Sequence, residues 1–146
     1  MSNYKGSKQH ILALNTFVKL VRCTNTVTGD VHDHFQNELT VSQFGILEAL
    51  YHLGPMVQKD LAEKILKSPG NITTIINNLV KNNLVARVPS ERDRRYCVIE
   101  LTENGRKVIE RIFPIHADGI CKRFSVLSSQ EQKQLGELLI KLSNIS

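Results

Sequence analysis

The stretch "SPGNITTIINNLVKNNLVARVP", residues 68–89, constrains the fold more than any other, because a helical period gives way inside it to a strand period. Ile72, Ile75, Ile76 and Leu79 recur at the spacing of one helix face. Ser68 supplies an N-cap, and Pro69 a first-turn residue whose missing N–H costs nothing there. The helix so begun ends at Asn83, a residue type that tolerates the left-handed conformation. Beyond it "VARVP" and "YCVIELT" read as strands, with a charged connector between them. A capped helix running straight into a hairpin with a basic tip is compatible with few folds.

The flanking segments narrow them further. Just upstream, "MVQKDLAEKILK" places Val57, Leu61, Ile65 and Leu66 on one side and Lys59, Glu63 and Lys67 on the other, which predicts a short amphipathic helix. Two short helices joined tightly, the second followed by a hairpin, make a winged helix-turn-helix. Earlier, "LTVSQFGILEALYHLG" has Thr40 and Gln43 at capping-box spacing, a face of Phe44, Leu47, Leu50 and Tyr51, and a stop at Gly54 and Pro55. Residues from about His10 to Thr28 carry two apolar stripes, one of Ile11, Leu14, Val18 and Val21 and one of Leu12, Leu20, Cys23 and Val27. A helix apolar on two faces needs two neighbours. Thr102 is the expected cap of a long helix that Pro114 should bend, and Ser128 with Glu131 precedes a last helix bearing Leu135, Leu138, Leu139, Leu142 and Ile145. These terminal helices hold more apolar surface than one small winged domain can bury, and a second copy would cover it.

The fold class that follows is mainly α with a small β-hairpin. One domain spans 1–146: a winged helix-turn-helix region at about 40–102, and a helical dimerisation region at about 8–36 and 103–146. A chain of 146 residues with 41% hydrophobic content suits one such domain. No apolar run reaches membrane-spanning length and the N-terminus lacks a signal-peptide stretch, so the expected location is the cytoplasm. Cys23, Cys97 and Cys121 are odd in number and without CxxC spacing, and so read as reduced thiols. The His32–Asp33–His34 run and His116 do not complete a metal-ligand set, and no Walker loop, GxGxxG, HExxH or GxSxG occurs. Neither an enzyme nor a cofactor is expected.

The charge of +5 is localised: Met56 to Lys107 holds ten Lys or Arg against six Asp or Glu, the remainder nine against eight. Such a region suits an anionic partner, above all nucleic acid. The polar face of the Pro69 helix carries Gly70, Asn71, Thr73, Thr74, Asn77, Asn78 and Lys81. A face serving solubility alone would more often carry Glu and Lys, whereas small groups that both donate and accept suit base edges in a major groove. Ser68, Pro69, Gly70, Asn71, Thr73, Thr74 and Asn77 are therefore the expected major-groove set, with Lys67 and Lys81 on phosphates. At the hairpin tip Arg92, Arg94 and Arg95 suit a narrow minor groove, and Asp93 would preorganise one of them by accepting its hydrogen bond. Charge alone does not choose among the arginines. The competing class is a winged helix that binds another protein and uses its charges for solubility.

In "LTVSQFGILEAL", "DLAEKI", "ITTIINNLVKNNLVARVPSERDRRYCVIELTENG" and "LSSQEQKQLGELLIKL" the chain resembles the multiple antibiotic resistance regulator (MarR) family. The most diagnostic part is the Asp-x-Arg wing signature, Asp93 and Arg95, followed by Leu-Thr-x-x-Gly from Leu101 to Gly105. One departure is Asn83, where the family commonly has Gly. The resemblance implies that Arg95 enters the minor groove with Asp93 positioning it, and that the helix from Pro69 reads the major groove of double-stranded DNA. It also implies a homodimer on an inverted-repeat operator, acting as a repressor released by a small aromatic or phenolic effector or by oxidation of a thiol. Cys23, beside Arg22, is the thiol to test in that case.

Overall fold

The computed structural model describes residues 4–32, 38–65, 69–90 and 97–143, excluding the side chains of residues 31, 32 and 69. In order the elements are α1 (Lys8–His32), α2 (Val41–Leu53), β1 (Met56–Val57), α3 (Gln58–Lys64), α4 (Pro69–Lys81), β2 (Val85–Pro89), β3 (Cys97–Leu101), α5 (Glu103–Phe124) and α6 (Ser129–Ser143). They sort into two compact units, one of Met1–Asp33 with Asp118–Ser146, the other of His34–Ala117.

In the second unit, local chemistry starts and stops the helices where the sequence signals stand. Ahead of α2 the capping box closes: the Gln43 N–H donates to Thr40 Oγ1 at 3.2 Å and the Thr40 N–H to Gln43 Oε1 at 2.8 Å. The helix ends at Gly54, whose φ of 82° suits glycine and whose N–H reaches the Leu50 carbonyl at 3.0 Å. Helix α4 ends at Asn83, φ 53°, with the Asn83 N–H bonded to the Val80 carbonyl and the Leu84 N–H to the Leu79 carbonyl, each at 2.9 Å. That is a Schellman closure with asparagine in the left-handed position.

The segment read as one helix from Met56 differs. Met56 and Val57 form β1, pairing antiparallel with Ile99 and Val98, and α3 starts only at Gln58. The expected hairpin is thus two strands of a three-stranded antiparallel sheet of order β1-β3-β2. Between β2 and β3 the register runs from Val85↔Leu101 to Pro89↔Cys97.

Helices and sheet share one core, in which Ile46, Leu47, Leu61, Ile76, Leu79 and Ile109 are fully buried and Ile72, Val85 and Ile99 nearly so. Burial contributes about 1.5–3 kcal/mol for each side chain of this size, so α4 is fixed by Ile72, Ile76 and Leu79 rather than by its asparagine-rich composition. The Leu-Thr-x-x-Gly motif closes the unit. Thr102 Oγ1 donates to the Asn83 carbonyl at 2.7 Å and accepts from the Gly105 N–H at 3.0 Å, and the Thr102 N–H donates to the Leu84 carbonyl at 3.1 Å. A Cβ on Gly105 would lie 1.8 Å from the Leu84 oxygen, so only glycine allows this approach. Pro114 lies inside α5 without ending it, and His116 is buried with its ring 4.5 Å from that of Phe44.

The first unit is built differently. Its α6 is capped by Ser128, which donates its N–H to Glu131 Oε2 at 2.8 Å and accepts from the Glu131 N–H at 3.3 Å. Donation to Oε2 by the Ser128 N–H, and by Ser128 Oγ at 2.8 Å, holds the Glu131 carboxyl below its ordinary range. Among the described residues neither α1 nor α6 has a buried side chain. Phe17 is 61% exposed and Leu138 65%, and Leu12, Leu14, Val18, Val21, Leu139, Ile140 and Leu142 are also exposed. No described helix is long and apolar enough to cross a membrane.

Candidate nucleic-acid interface

The polar side of α4 is open along its whole length. Gly70, Asn71, Thr73, Thr74, Asn77, Asn78 and Lys81 are all exposed, while Ile72, Ile76 and Leu79 on the opposite side are at most 1% exposed. At 3.6 residues per turn the seven exposed positions fall within an arc of about 160°. Such a face is uncharged except for Lys81 in the last turn. Pro69 is the first residue of α4; Lys67 and Ser68 lie outside the described residues.

Two contacts that sequence reasoning missed set side chains on this face. Gln58, the first residue of α3, donates its amide Nε2 to Thr73 Oγ1 at 2.7 Å, tying the two helices of the helix-turn-helix together. Arg87 on β2 donates Nη2 to Asn77 Oδ1 at 2.6 Å. A signal for the second existed: strand alternation puts Arg87 on the same side as buried Val85, the side that α4 covers. For Gln58 no local signal exists, because its partner belongs to the next helix.

Sheet alternation also separates the charges. Arg87 pairs with Ile99 on the side of the core, whereas Val57, Val88, Val98 and Glu100 stand on the other side. There, with Asp60, they line a recess of about 690 Å³. The one acid of the described strands, Glu100, is thereby kept off the face shared with α4. Arg92, Asp93, Arg94 and Arg95 lie outside the described residues, between the paired strand ends Pro89 and Cys97. In the other unit, Cys23 of α1 is exposed, as is Cys121, and Cys97 at the start of β3 is exposed too. His116 lies in the core against Phe44 and Phe113, and the side chains of His32, Asp33 and His34 lie outside the described residues.

What this face offers chemically is a row of hydrogen-bonding groups on a helix whose other side is packed in the core. The MarR family model matches residues 39–96, which take in α2, the helix-turn-helix and the first part of the wing. The HTH-type transcriptional regulator MhqR of Bacillus subtilis is 33% identical over 128 residues, 87% of this chain and 88% of that one. Among solved structures, Bordetella bronchiseptica BpsR, described as regulated in its DNA binding by 6-hydroxynicotinic acid, has a TM-score of 0.78 at 24% identity, over 88% of this chain and 98% of its own. NadR in complex with 4-hydroxyphenylacetate has a TM-score of 0.75 at 22% identity, over 100% of this chain and 98% of its own. At those identities the two structures show the fold, a mainly helical winged helix with its three-stranded sheet, while the sequence relative carries the family assignment. The chain belongs to the MarR family of winged helix-turn-helix transcriptional regulators, which bind DNA and are not enzymes.

Proposed function

We propose that the chain is a homodimeric, sequence-specific repressor whose paired α4 helices read an inverted-repeat operator and whose hold on it is released by a small aromatic ligand. The observation that carries this reading is the α4 face: Asn71, Thr73, Thr74 and Asn77 exposed together on a helix whose other side is fixed in the core. Helices placed in a major groove read base edges with such groups. On this reading Ser68, Pro69 and Gly70 bring the helix N-terminus to the backbone, Lys67 and Lys81 neutralise phosphates, and Arg95 enters the minor groove, held by Asp93 and flanked by Arg92 and Arg94. Residues of about 40–102 then serve DNA, and those of about 8–36 and 103–146 serve pairing, all within one functional domain.

Support for the dimer comes from α1 and α6, whose leucines, valines and Phe17 stay exposed in the single chain. Large apolar side chains left exposed along two helices in this way suit an interface. The aromatic effector class is supported by BpsR and NadR, whose named ligands are both small hydroxylated aromatic acids. With DNA as partner, the cytoplasm is the place of action. The deciding experiment is selection of duplexes from a random library followed by gel shift at two salt concentrations. An enriched inverted repeat, bound with steep salt dependence on top of its sequence preference, is the expected result. No enrichment, with salt-insensitive binding, would favour the protein-interaction module instead. A thiol-sensing version is favoured by one observation, the exposure of Cys23. If peroxide releases the operator from the wild type and equally from Cys23→Ser, that cysteine is not the sensor.

A further inference from the structure

We infer that Arg87 determines which base Asn77 reads, by fixing the orientation of its amide. This inference rests on the proposed role of α4 as the reading helix. Asn77 is exposed near the middle of the polar face, and Arg87 reaches it from β2 with a 2.6 Å bond from Nη2 to Oδ1. No ion pair draws Arg87 elsewhere among the described residues.

The chemistry of the two groups gives the contact only one polarity. A guanidinium has donors and no acceptor, whereas an asparagine amide has a carbonyl acceptor at one end and two N–H donors at the other. The carbonyl must therefore be the end turned to Arg87, and Nδ2 is left as the end available to DNA. A free asparagine reads adenine by accepting from N6 and donating to N7 together, which requires both ends at one base edge. With Oδ1 turned to the guanidinium and one of its lone pairs taken by Arg87, the end of Asn77 presented to a base is the Nδ2 donor. Its best match in the major groove is a base presenting acceptors without an adjacent donor, and guanine, with N7 and O6, does so and also suits the positive charge of the neighbouring guanidinium. Arg87 is thus a positioning residue that links the wing strand to the reading helix and sets specificity without touching the base.

The test is selection from a random duplex library by the full-length wild type, Asn77→Ala, Thr74→Ala, Arg87→Met and Arg87→Lys, with base frequencies compared position by position and thermal melting to confirm that each variant is folded. Loss of preference in Asn77→Ala marks the base pair read by Asn77. At that pair the wild type should favour guanine, and Arg87→Met, which frees the carbonyl, should move the guanine-to-adenine ratio toward adenine by on the order of tenfold, the discrimination of one good bidentate contact. Arg87→Lys keeps a donor-only partner and should stay close to the wild-type pattern. Unchanged base frequencies in folded Arg87→Met, with affinity lower across all sequences, would overturn the inference and make Arg87 a phosphate contact. If neither Asn77→Ala nor Thr74→Ala changes base preference anywhere, the reading-helix assignment itself fails, a result distinct from the first.

Discussion

Replacing Gly105 by Ala tests the junction where the start of α5 meets the chain between α4 and β2. The added Cβ would lie 1.8 Å from the Leu84 carbonyl oxygen and 2.8 Å from its carbon, where Cβ atoms essentially never come within 3.0 Å of a neighbour. The obstruction is backbone, so relief requires the start of α5 and the Leu84 peptide to part by at least about 1.2 Å, the difference between 3.0 and 1.8 Å. A shift of that size strains the bond from the Thr102 N–H to the Leu84 carbonyl and the bond from Thr102 Oγ1 to the Asn83 carbonyl. Overpacking costs about 1–3 kcal/mol and a backbone group left without its partner about the same again, for a total of about 2–6 kcal/mol. For a unit of this size, at about 4–8 °C per kcal/mol, that lowers Tm by on the order of 10–50 °C. Gly45→Ala is the control within the same unit. Gly45 lies inside α2 and its Cβ would meet only Ile65, Cγ2 at 3.5 Å and Cβ at 4.0 Å, ordinary contacts, so the helix-propensity gain of about 0.5–1 kcal/mol should raise Tm instead. Thermal melts of the full chain followed by circular dichroism give both shifts. Equal melting of Gly105→Ala and wild type, or shifts of the same sign for the two variants, would refute the close-approach reasoning.

Other expectations concern charge, pairing and the wing. The bidentate hydrogen bonds from Arg111 hold the Glu38 carboxyl below its ordinary range. The pair's stabilisation is therefore fully present above the unfolded carboxylate pKa, about 4.3, and is lost as pH falls through the lower folded value. Glu38→Gln should flatten the acid side of the stability profile, and parallel wild-type and variant profiles between pH 6 and pH 3 would remove the pair from the account. Leu138→Lys puts a charge on an α6 position that is 65% exposed in the single chain. Light scattering should find the variant monomeric at concentrations where the wild type is a dimer, and an unchanged mass would place the interface elsewhere. For Arg95→Ala a loss of about 1–3 kcal/mol in operator affinity is expected. A gel-shift titration with unchanged midpoint would end the minor-groove assignment.

How far the sequence could be read depended on the range of each interaction. The Thr40–Gln43 box, the stop at Asn83 and the alternation of Val85 to Pro89 depend on neighbours within a few residues, and all stand where their patterns indicate. The polar face of α4 was legible for the same reason: a regular helix period fixes which residues share a side. Strand β1 was not, because Met56 and Val57 become a strand only through pairing with Val98 and Ile99, far along the chain. Nor could local pattern reveal that Gln58 would meet Thr73, that Arg87 would meet Asn77, or that Gly105 would approach Leu84. The Leu-Thr-x-x-Gly motif carried weight as a resemblance before it had a cause; the bonds of Thr102 and the space at Gly105 supply that cause. Apolar stripes on the terminal helices were plain in the sequence, and the single chain leaves them largely uncovered.

On the proposed function, two copies hold their α4 helices at one fixed separation matched to B-form DNA. The most direct measurement is affinity for the selected inverted repeat as the spacing between half-sites is varied. Insertion of about 5 base pairs turns one half-site to the opposite side of the duplex and should reduce affinity to that of a single half-site, while insertion of about 10 restores the facing but stretches the separation by one turn and should recover little. Affinity that stays the same at every spacing would contradict a rigid two-headed reader.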